Sequence, residues 1–207
     1  MSYSNTSAII LAAGLSKRMG TINKLLIPID GKSMVRRTVE QYINTGIEQI
    51  IVVVGHQQDR IRAALSGLKV KLVFNDGFDN GQITSIRCGL KAISKQSQTV
   101  LIGLSDQPLL TTHDIQQLLQ AFLQQSSKSI LVPYYQDVRG NPIVLSATQA
   151  LAVDRDGVRL GCRKLIDKHP EKVLRFDVVS NHYNCDLDNV EEVAKLLGER
   201  AITEVCV

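Results

Sequence analysis

A loop of small residues and cations directly follows the first long apolar run of the chain. The apolar residues 8–11 lead into the sequence AAGLSKRMG at residues 12–20, and NKLL follows at residues 23–26. Small residues let backbone N–H groups approach an anion closely, and the cations Lys17, Arg18 and Lys24 neutralise its charge. This combination predicts a site for a triphosphate group.

The loop matches neither of two well-defined glycine-rich phosphate-binding patterns. It lacks the P-loop pattern GxxxxGK[ST] and the dinucleotide pattern GxGxxG, so an NAD-binding protein is disfavoured. A strand followed by a glycine-containing turn is also common in α/β proteins that bind no phosphate. That alternative stays open.

Acidic residues in two other segments are candidate metal ligands. Asp106 follows an apolar run, and Asp186 and Asp188 are two positions apart, which places both on one side of an extended segment. Mg²⁺ on a nucleotide takes one or two carboxylates together with phosphate oxygens, so Asp106 is a candidate ligand. The alternatives are that Asp106 is a turn or cap residue and that Asp188 begins a helix.

Polar residues at one predicted helix start are candidates for binding a phosphate. The sequence GQITSIR at residues 81–87 follows Asn75 and opens a helix, whose first N–H groups are free to bind an anion. Gly81 and Ser85 also suit an ordinary helix start.

Strands and helices alternate along the chain. Strands are predicted at residues 8–12, 49–54, 71–74, 99–103, 129–132, 142–145 and 172–176. Helices are predicted at residues 33–44, 57–66, 83–94, 112–125, 158–168 and 189–199. The first five strands are almost continuously apolar, which is typical of strands buried on both faces. We expect one domain over residues 1–207, an α/β/α sandwich of three layers with a Rossmann-like, mostly parallel sheet.

The carboxyl ends of the strands are the expected ligand-binding edge of such a sheet. Polar segments follow the first four strands, at residues 13–24, 55–57, 75–82 and 105–108. We expect these loops to meet at one pocket, with His56 as a candidate lining residue.

Composition narrows the class of protein. The net charge of +4, the aromatic content of 4% and the absence of Trp disfavour a nucleic-acid partner. The four cysteines are scattered, with no CxxC pair, which predicts reduced thiols rather than a disulfide framework. Neither a signal peptide nor a membrane-spanning run is recognisable, so we expect a cytoplasmic protein that does not act at a membrane.

The sequence LAAGLSKRMG followed by NKLL resembles the signature of the molybdenum cofactor cytidylyltransferase family. Similar family motifs recur at DQPL (106–109), DLD (186–188) and RGNP (139–142). The chain departs from the family at Ser105, where glycine is usual, and at Asn141, where histidine is usual. The resemblance implies a fold of the nucleotide-diphospho-sugar transferase type. LAAG, where related guanylyltransferases carry LAGG, favours CTP as the nucleotide.

The resemblance implies Mg²⁺-dependent transfer of CMP from CTP to molybdenum-loaded molybdopterin, with release of pyrophosphate. It implies Lys24, Arg18 and Asp106 as catalytic residues, and Asp106 and Asp188 as Mg²⁺ ligands. It implies that the nucleotide is bound by Leu11, Ala12, Ala13, Gly14, Arg18, Lys24, Asn75, Gly81 and Ser85. It implies that the acceptor is bound by Arg139, Gly140, Asn141 and Arg159; the alternative for Arg159 is an ordinary surface arginine.

Two other functions stay open. One is nucleotidyl transfer to another phosphate acceptor, such as a sugar or polyol phosphate. The other is a non-catalytic carrier that binds the pterin nucleotide and delivers it to an apo-enzyme; the joint presence of Lys24, Asp106 and Asp188 argues against it. The expected protein partner is a molybdenum hydroxylase or its maturation chaperone.

Overall fold

A mostly parallel sheet lies at the centre of the computed structural model, which describes residues 2–16, 22–125, 127–155 and 162–186. In chain order the strands are β1 (Tyr3–Ala12), β2 (Pro28–Ile29), β3 (Lys32–Ser33), β4 (Ile47–Val54), β5 (Lys71–Phe74), β6 (Thr99–Leu104), β7 (Ile130–Tyr135), β8 (Val138–Arg139), β9 (Ile143–Ser146) and β10 (Val173–Asp177). The α-helices are α1 (Met34–Asn44), α2 (Gln58–Ala64), α3 (Gln82–Leu90), α4 (Thr112–Gln124), α5 (Ala147–Arg155) and α6 (Cys162–Lys168).

The order of the strands places β1 inside the sheet, between β6 and β4. The order is β10-β7-β9-β6-β1-β4-β5, with β8 paired to β7, while β2 and β3 form a separate hairpin. Ile10 of β1 lies between Val52 of β4 and Gly103 of β6, and both pairings are parallel. The chain first runs outward through β4 to β5 and then returns to β6 on the other side of β1. Ligands of open α/β sheets bind at the carboxyl ends of strands where the order reverses in this way.

Helices cover both faces of the sheet. Along β1, Ile10 belongs to a cluster of buried side chains that includes Val39 of α1, whereas its neighbour Ile9 belongs to a second cluster with Ile86 of α3. The alternation follows from the two-residue period of a strand. Helices α1, α2 and α4 supply the first cluster, and α3, α5 and α6 supply the second. The predicted three-layer α/β/α sandwich is confirmed.

Several predicted details were wrong. The strand at 71–74 is β5, which lies at an edge of the sheet with Lys71 and Phe74 exposed, so it is not buried on both faces. Helix α3 ends at Leu90, four residues earlier than predicted, and the backbone N–H of Ser94 instead donates to Gln49 Oε1 at 2.8 Å. Helix α5 was not predicted at all.

Some predicted elements fall outside the described residues. The first part of the helix predicted at 158–168 and the whole helix predicted at 189–199 lie there. Of the helices that are described, none combines the length and the apolar character needed to cross a membrane.

Candidate active site

Two adjoining cavities lie at the carboxyl ends of β1 and β6. The smaller has a volume of about 390 Å³ and the larger about 490 Å³. Both are lined by Leu11, Gln82, Leu104 and Asp186. Two ligands bound side by side in these cavities would therefore touch the same wall.

The smaller cavity brings together three of the four predicted loops. The predicted residues that line it are Leu11, Ala13, Gly14, Lys24, Gly81, Ser85 and Asp106. The fourth loop, at residues 55–57, packs behind the wall. His56 is not a lining residue; its ring lies 6.3 Å from that of Phe78, which does line the cavity. Gly55 is so close to Phe78 that a Cβ there would lie 2.6 Å from the Phe78 Cβ.

Lys24 and Asp106 form an ion pair in the smaller cavity. Lys24 Nζ donates to Asp106 Oδ2 at 2.6 Å, and the two side chains are only 13% and 18% exposed. Lys24 begins a short 3₁₀ turn that is capped by Asn23, whose Oδ1 accepts from Leu25 N at 3.1 Å. Shelter from water strengthens the attraction between such charges. The loop therefore holds the ammonium group at a fixed place beside the carboxylate.

The second carboxylate oxygen of Asp106 has a different environment. Asp106 Oδ1 is buried and has no hydrogen-bond partner in the described part of the chain. A buried carboxylate oxygen without a donor is costly. An added cation would relieve that cost, so Asp106 fits the role of a metal ligand.

Ser105 shows how the chain accommodates its departure from the family pattern. The Ser105 side chain is buried, and its Oγ donates to the carbonyl oxygen of Leu11 at 2.7 Å. The backbone N–H of Ser105 donates to the same oxygen at 3.2 Å. The hydroxyl thus adds a bond between the ends of β1 and β6, next to Asp106.

Asn75 shapes the loop that leads into α3. Its Nδ2 donates to Thr84 Oγ1 and Ser85 Oγ, both at 2.9 Å, and its Oδ1 accepts from Gly77 N at 3.1 Å. The side chain is buried and lines neither cavity. Ala12 is likewise buried and lines neither cavity. Gly81, with φ of +98°, turns the chain into the first residue of α3.

The larger cavity is lined by Arg139, Gly140 and Asn141, three of the four residues predicted to bind the acceptor. The Arg139 guanidinium donates to Asp167 Oδ1 at 2.6 Å and to the Tyr134 hydroxyl at 3.0 Å. The hydrogen bond to Asp167 raises the pKa of Arg139, so its positive charge is secure.

Helix α6 adds three lining residues of the larger cavity that the sequence did not reveal. They are Cys162, Arg163 and Ile166, and no motif marks any of them. Burial raises the pKa of the Cys162 thiol to about 12. The larger cavity therefore has a neutral thiol and two guanidinium groups in its lining.

A short turn at residues 181–183 bonds both to Asn141, which lines the larger cavity, and to Gln107, which follows Asp106. The Tyr183 carbonyl oxygen accepts from Asn141 N at 2.8 Å and from Gln107 Nε2 at 2.7 Å. Gln107 Nε2 also donates to Asp186 Oδ1 at 2.8 Å. A Cβ at Gly140 would lie 2.7 Å from the same Tyr183 oxygen, so the segments pack closely.

Four residues predicted for the site, Lys17, Arg18, Arg159 and Asp188, lie outside the described residues. Within the described ranges, no group of three His, Cys, Asp or Glu side chains is arranged to hold a metal ion. Of the two predicted metal ligands, the structure therefore describes Asp106 alone. Asp186 lines both cavities.

Two proteins illustrate the relatives that the sequence matches. Nicotine blue oxidoreductase of Paenarthrobacter nicotinovorans is 26% identical over 199 residues, which cover 92% of this chain and 96% of that protein. The bifunctional protein GlmU of Corynebacterium aurimucosum is 30% identical over 150 residues, which cover 69% of this chain and 31% of that protein. The chain therefore spans less than half the length of the GlmU relatives.

Solved structures share the fold. A nucleotidyl transferase from Methanothermobacter thermautotrophicus superposes with a TM-score of 0.80 at 18% identity, over 98% of this chain and all of that one. Rv0371c of Mycobacterium tuberculosis, in a complex with manganese, gives 0.75 at 22% identity, over 93% and 97%. The 4-diphosphocytidyl-2C-methyl-D-erythritol synthase of Anaerococcus prevotii gives 0.71 at 16% identity, over 94% and 97%.

The family assignment rests on a longer match than any of the individual motifs. It extends from β1, which leads into the loop of small residues, to the first residue of β10. Because residues 8–173 match the model of the MobA-like NTP transferase domain, this chain belongs to that family, as its motifs predicted.

Proposed function

We propose that this chain transfers CMP from CTP to molybdenum-loaded molybdopterin, forming molybdopterin cytosine dinucleotide and releasing pyrophosphate. Membership of an NTP transferase family supports the reaction class. The observation that carries the proposal is the sheltered Lys24–Asp106 pair, 2.6 Å apart, in a cavity that shares a wall with a second cavity. A transferase needs two adjoining sites of this kind, one for each substrate.

In the proposed reaction, CTP occupies the smaller cavity and the acceptor phosphate occupies the larger one. An acceptor oxygen attacks the α-phosphorus, and the bond from that phosphorus to the pyrophosphate oxygen breaks. Both reactants are anionic, so the protein must position them and offset their charge rather than supply a nucleophile. We propose that Lys24 serves that need, because its ammonium group lies beside Asp106 in the cavity assigned to CTP.

A divalent cation, proposed to be Mg²⁺, fits the smaller cavity. The unpartnered Oδ1 of Asp106 is suited to bind one, and we propose Asp188 as the second ligand. Rv0371c, which shares the fold, was solved with manganese. When bound, the cation supplies positive charge that weakens the repulsion between the triphosphate and the acceptor phosphate.

Features of the larger cavity support a phosphate-bearing ring compound as acceptor. Arg139 and Arg163 offer guanidinium groups, which suit phosphate, and Ile86, Ile102 and Ile143 line the cavity with apolar surface. Its volume of about 490 Å³ lies within the usual range of small-molecule sites. We propose a molybdenum hydroxylase, or its maturation chaperone, as the protein that receives the product.

A second candidate is cytidylyl transfer to a polyol phosphate. The diphosphocytidyl-methylerythritol synthase with the same fold supports it, because its name describes a cytidylylated product of this kind. The two arginines of the larger cavity would serve that acceptor's phosphate equally well. The two candidates differ in acceptor and share the nucleotide and the catalytic residues.

The test is pyrophosphate release by the purified protein with Mg²⁺, each of the four NTPs, and either molybdate-loaded molybdopterin or a polyol phosphate. We expect release that requires CTP and the loaded pterin, and that Asp106→Asn abolishes. Asp30→Asn is the matched control, because Asp30 is an exposed carboxylate that pairs with Arg37 and lines neither cavity.

Other outcomes separate the alternatives. Release that requires the polyol phosphate would replace the pterin as acceptor. Binding of CTP and the pterin product without any pyrophosphate release would identify a carrier and refute the proposed reaction.

A further inference from the structure

Gln107 is a completely buried polar side chain that directly follows Asp106. Its Nε2 donates one hydrogen to the carbonyl oxygen of Tyr183 at 2.7 Å and the other to Asp186 Oδ1 at 2.8 Å. Both donors of the amide are therefore used. Asp106 places its own carboxylate in the smaller cavity, and the next residue, Gln107, binds the carboxylate of Asp186.

The orientation of the Gln107 amide is determined by its partners. A reversed amide would place Oε1 against two hydrogen-bond acceptors. In the observed orientation Oε1 is buried and has no hydrogen-bond partner among the described residues. Leaving an acceptor unpaired is unfavourable, so the two donated bonds, one of them to a charged group, must outweigh that cost.

The partners of Gln107 link the two cavities. Asp186 lines both of them. The Tyr183 oxygen that Gln107 binds also accepts from the backbone N–H of Asn141, which lines the larger cavity. Removal of Gln107 would therefore take away one bond to the Tyr183 oxygen and one to the Asp186 carboxylate, while leaving Lys24 and Asp106 in place.

We infer that Gln107 is a positioning residue that holds the Asp186 carboxylate on the wall shared by the nucleotide and acceptor cavities. The inference rests on the proposed function only in the assignment of one ligand to each cavity. Loss of Gln107 lowers kcat, because the two substrates are no longer aligned across a fixed wall. It leaves the KM for CTP nearly unchanged, because the loop after β1 still binds the triphosphate.

A double-mutant cycle between Gln107 and Asp186 tests this inference. Gln107→Leu and Asp186→Ala are each expected to lower kcat about tenfold, the effect of losing one hydrogen bond to a charged group. If Gln107 acts through Asp186, the double variant loses no more kcat than the more impaired of the two single variants. Independent losses that multiply, or a wild-type kcat in Gln107→Leu, would overturn the inference.

Gln49→Leu is the matched control for a merely structural role. Gln49 Oε1 accepts from Ser7 Oγ and from Ser94 N, both at 2.8 Å, near the amino end of β4 and away from the cavities. We expect this variant to lose stability in urea without a change in kcat.

Gln107→Glu covers the case in which Gln107→Leu does not fold. A carboxylate beside Asp186 is repelled, and only its protonated form can donate a hydrogen bond. Its kcat should therefore fall at least as far as that of Gln107→Leu. A wild-type kcat in Gln107→Glu would contradict the inference.

An NMR measurement separates failure of the inference from failure of the proposed function. The Gln107 side-chain amide is assigned in ¹⁵N-labelled protein by its loss in a Gln107 variant. Asp186→Ala should shift one of its two proton signals strongly, since one hydrogen loses its charged acceptor. Pyrophosphate release that is absent in the wild type would refute the proposed function, whereas an unshifted amide would refute the inference by itself.

Discussion

At the scale of single residues, the ion pair between Lys24 and Asp106 is the main charged feature described in the smaller cavity. Lys24 satisfies Oδ2 of Asp106, while Oδ1 of the same side chain has no donor. The two oxygens of one carboxylate therefore have separate roles, one in holding the ammonium group and one in binding an added cation. This division explains why an Asp, rather than an Asn, suits the position.

Lys24→Ala tests the catalytic role of the ammonium group. We expect kcat for pyrophosphate release to fall by roughly 10²–10³, as when a donor to the developing charge is removed from other active sites. The fold should persist, because the alanine variant keeps the capped turn. Lys32→Ala is the control, since Lys32 pairs with Glu40 and lines neither cavity. A near-wild-type kcat in Lys24→Ala would exclude Lys24 from the mechanism.

At the scale of elements, the loops after β1 and β4 use glycine for opposite reasons. At Gly14 a Cβ would meet no atom within 4 Å, because it would project into open space beside the smaller cavity. At Gly55 a Cβ would lie 2.6 Å from the Phe78 Cβ and 2.9 Å from the Ala13 Cβ. The first glycine leaves room for a ligand, and the second leaves room for the neighbouring loop.

The pair of variants Gly14→Ala and Gly55→Ala separates these two roles. Gly14→Ala should leave the free energy of unfolding within about 0.5 kcal/mol of wild type, as at an uncrowded surface site. It should raise the KM for CTP, because the methyl group obstructs the triphosphate. Gly55→Ala should lose about 1–3 kcal/mol by overpacking. Urea denaturation and steady-state kinetics give both quantities; equal losses of stability would contradict the assignment.

The sequence predicted those elements whose pattern is local. The apolar runs that became β1, β4 and β6 were recognised, as were the loops that follow β1 and β6 and meet at Lys24 and Asp106. The antiparallel direction of β9 was not predictable from its residues, because direction depends on which strands lie beside it. Arg163 was missed because a single arginine on a short helix carries no local signal until α6 packs against the sheet.

The sequence shows which residues occupy the motif positions, but it does not show which contacts their side chains make in the fold. Ser105 stands where the family has glycine, yet its bond to the Leu11 carbonyl oxygen depends on β1 and β6 being neighbours. Asn75 was predicted to bind nucleotide, and its side chain bonds Gly77 in the loop before α3 and Thr84 and Ser85 in the first turn of α3. Such contacts join residues brought together only by the completed fold.

At the scale of the whole molecule, a tyrosine phenol and a cysteine thiol that are shielded from water affect how stability responds to alkaline pH. Burial raises the pKa of the Tyr42 phenol far above its usual 10.0, and that of the Cys162 thiol from 9.0 to about 12. In the unfolded chain these groups ionise at their usual pKa values. Above about pH 9 the folded state therefore binds more protons than the unfolded state, and stability falls as pH rises.

Tyr42→Phe tests this contribution. The Tyr42 hydroxyl is buried and has no hydrogen-bond partner in the described structure. Its removal should stabilise the protein by about 1–3 kcal/mol and flatten the decline between pH 9 and 11. Tyr183→Phe is the control for hydrogen bonding, because its hydroxyl donates to the Asp114 carbonyl oxygen at 3.2 Å and its loss should lower stability, although burial raises the pKa of Tyr183 as well. A loss of stability in Tyr42→Phe, measured by urea denaturation, would contradict the prediction.

The position of β1 inside the sheet has a consequence for biosynthesis. Ile10 of β1 pairs with Val52 of β4 on one side and with Gly103 of β6 on the other. β1 is therefore synthesised before both of the strands that pair with it. At about 5–20 residues per second, translation separates β1 from β6 by several seconds. During that interval β1 is an apolar strand with an unpaired side, and a nascent chain stalled before residue 104 is the form most exposed to aggregation.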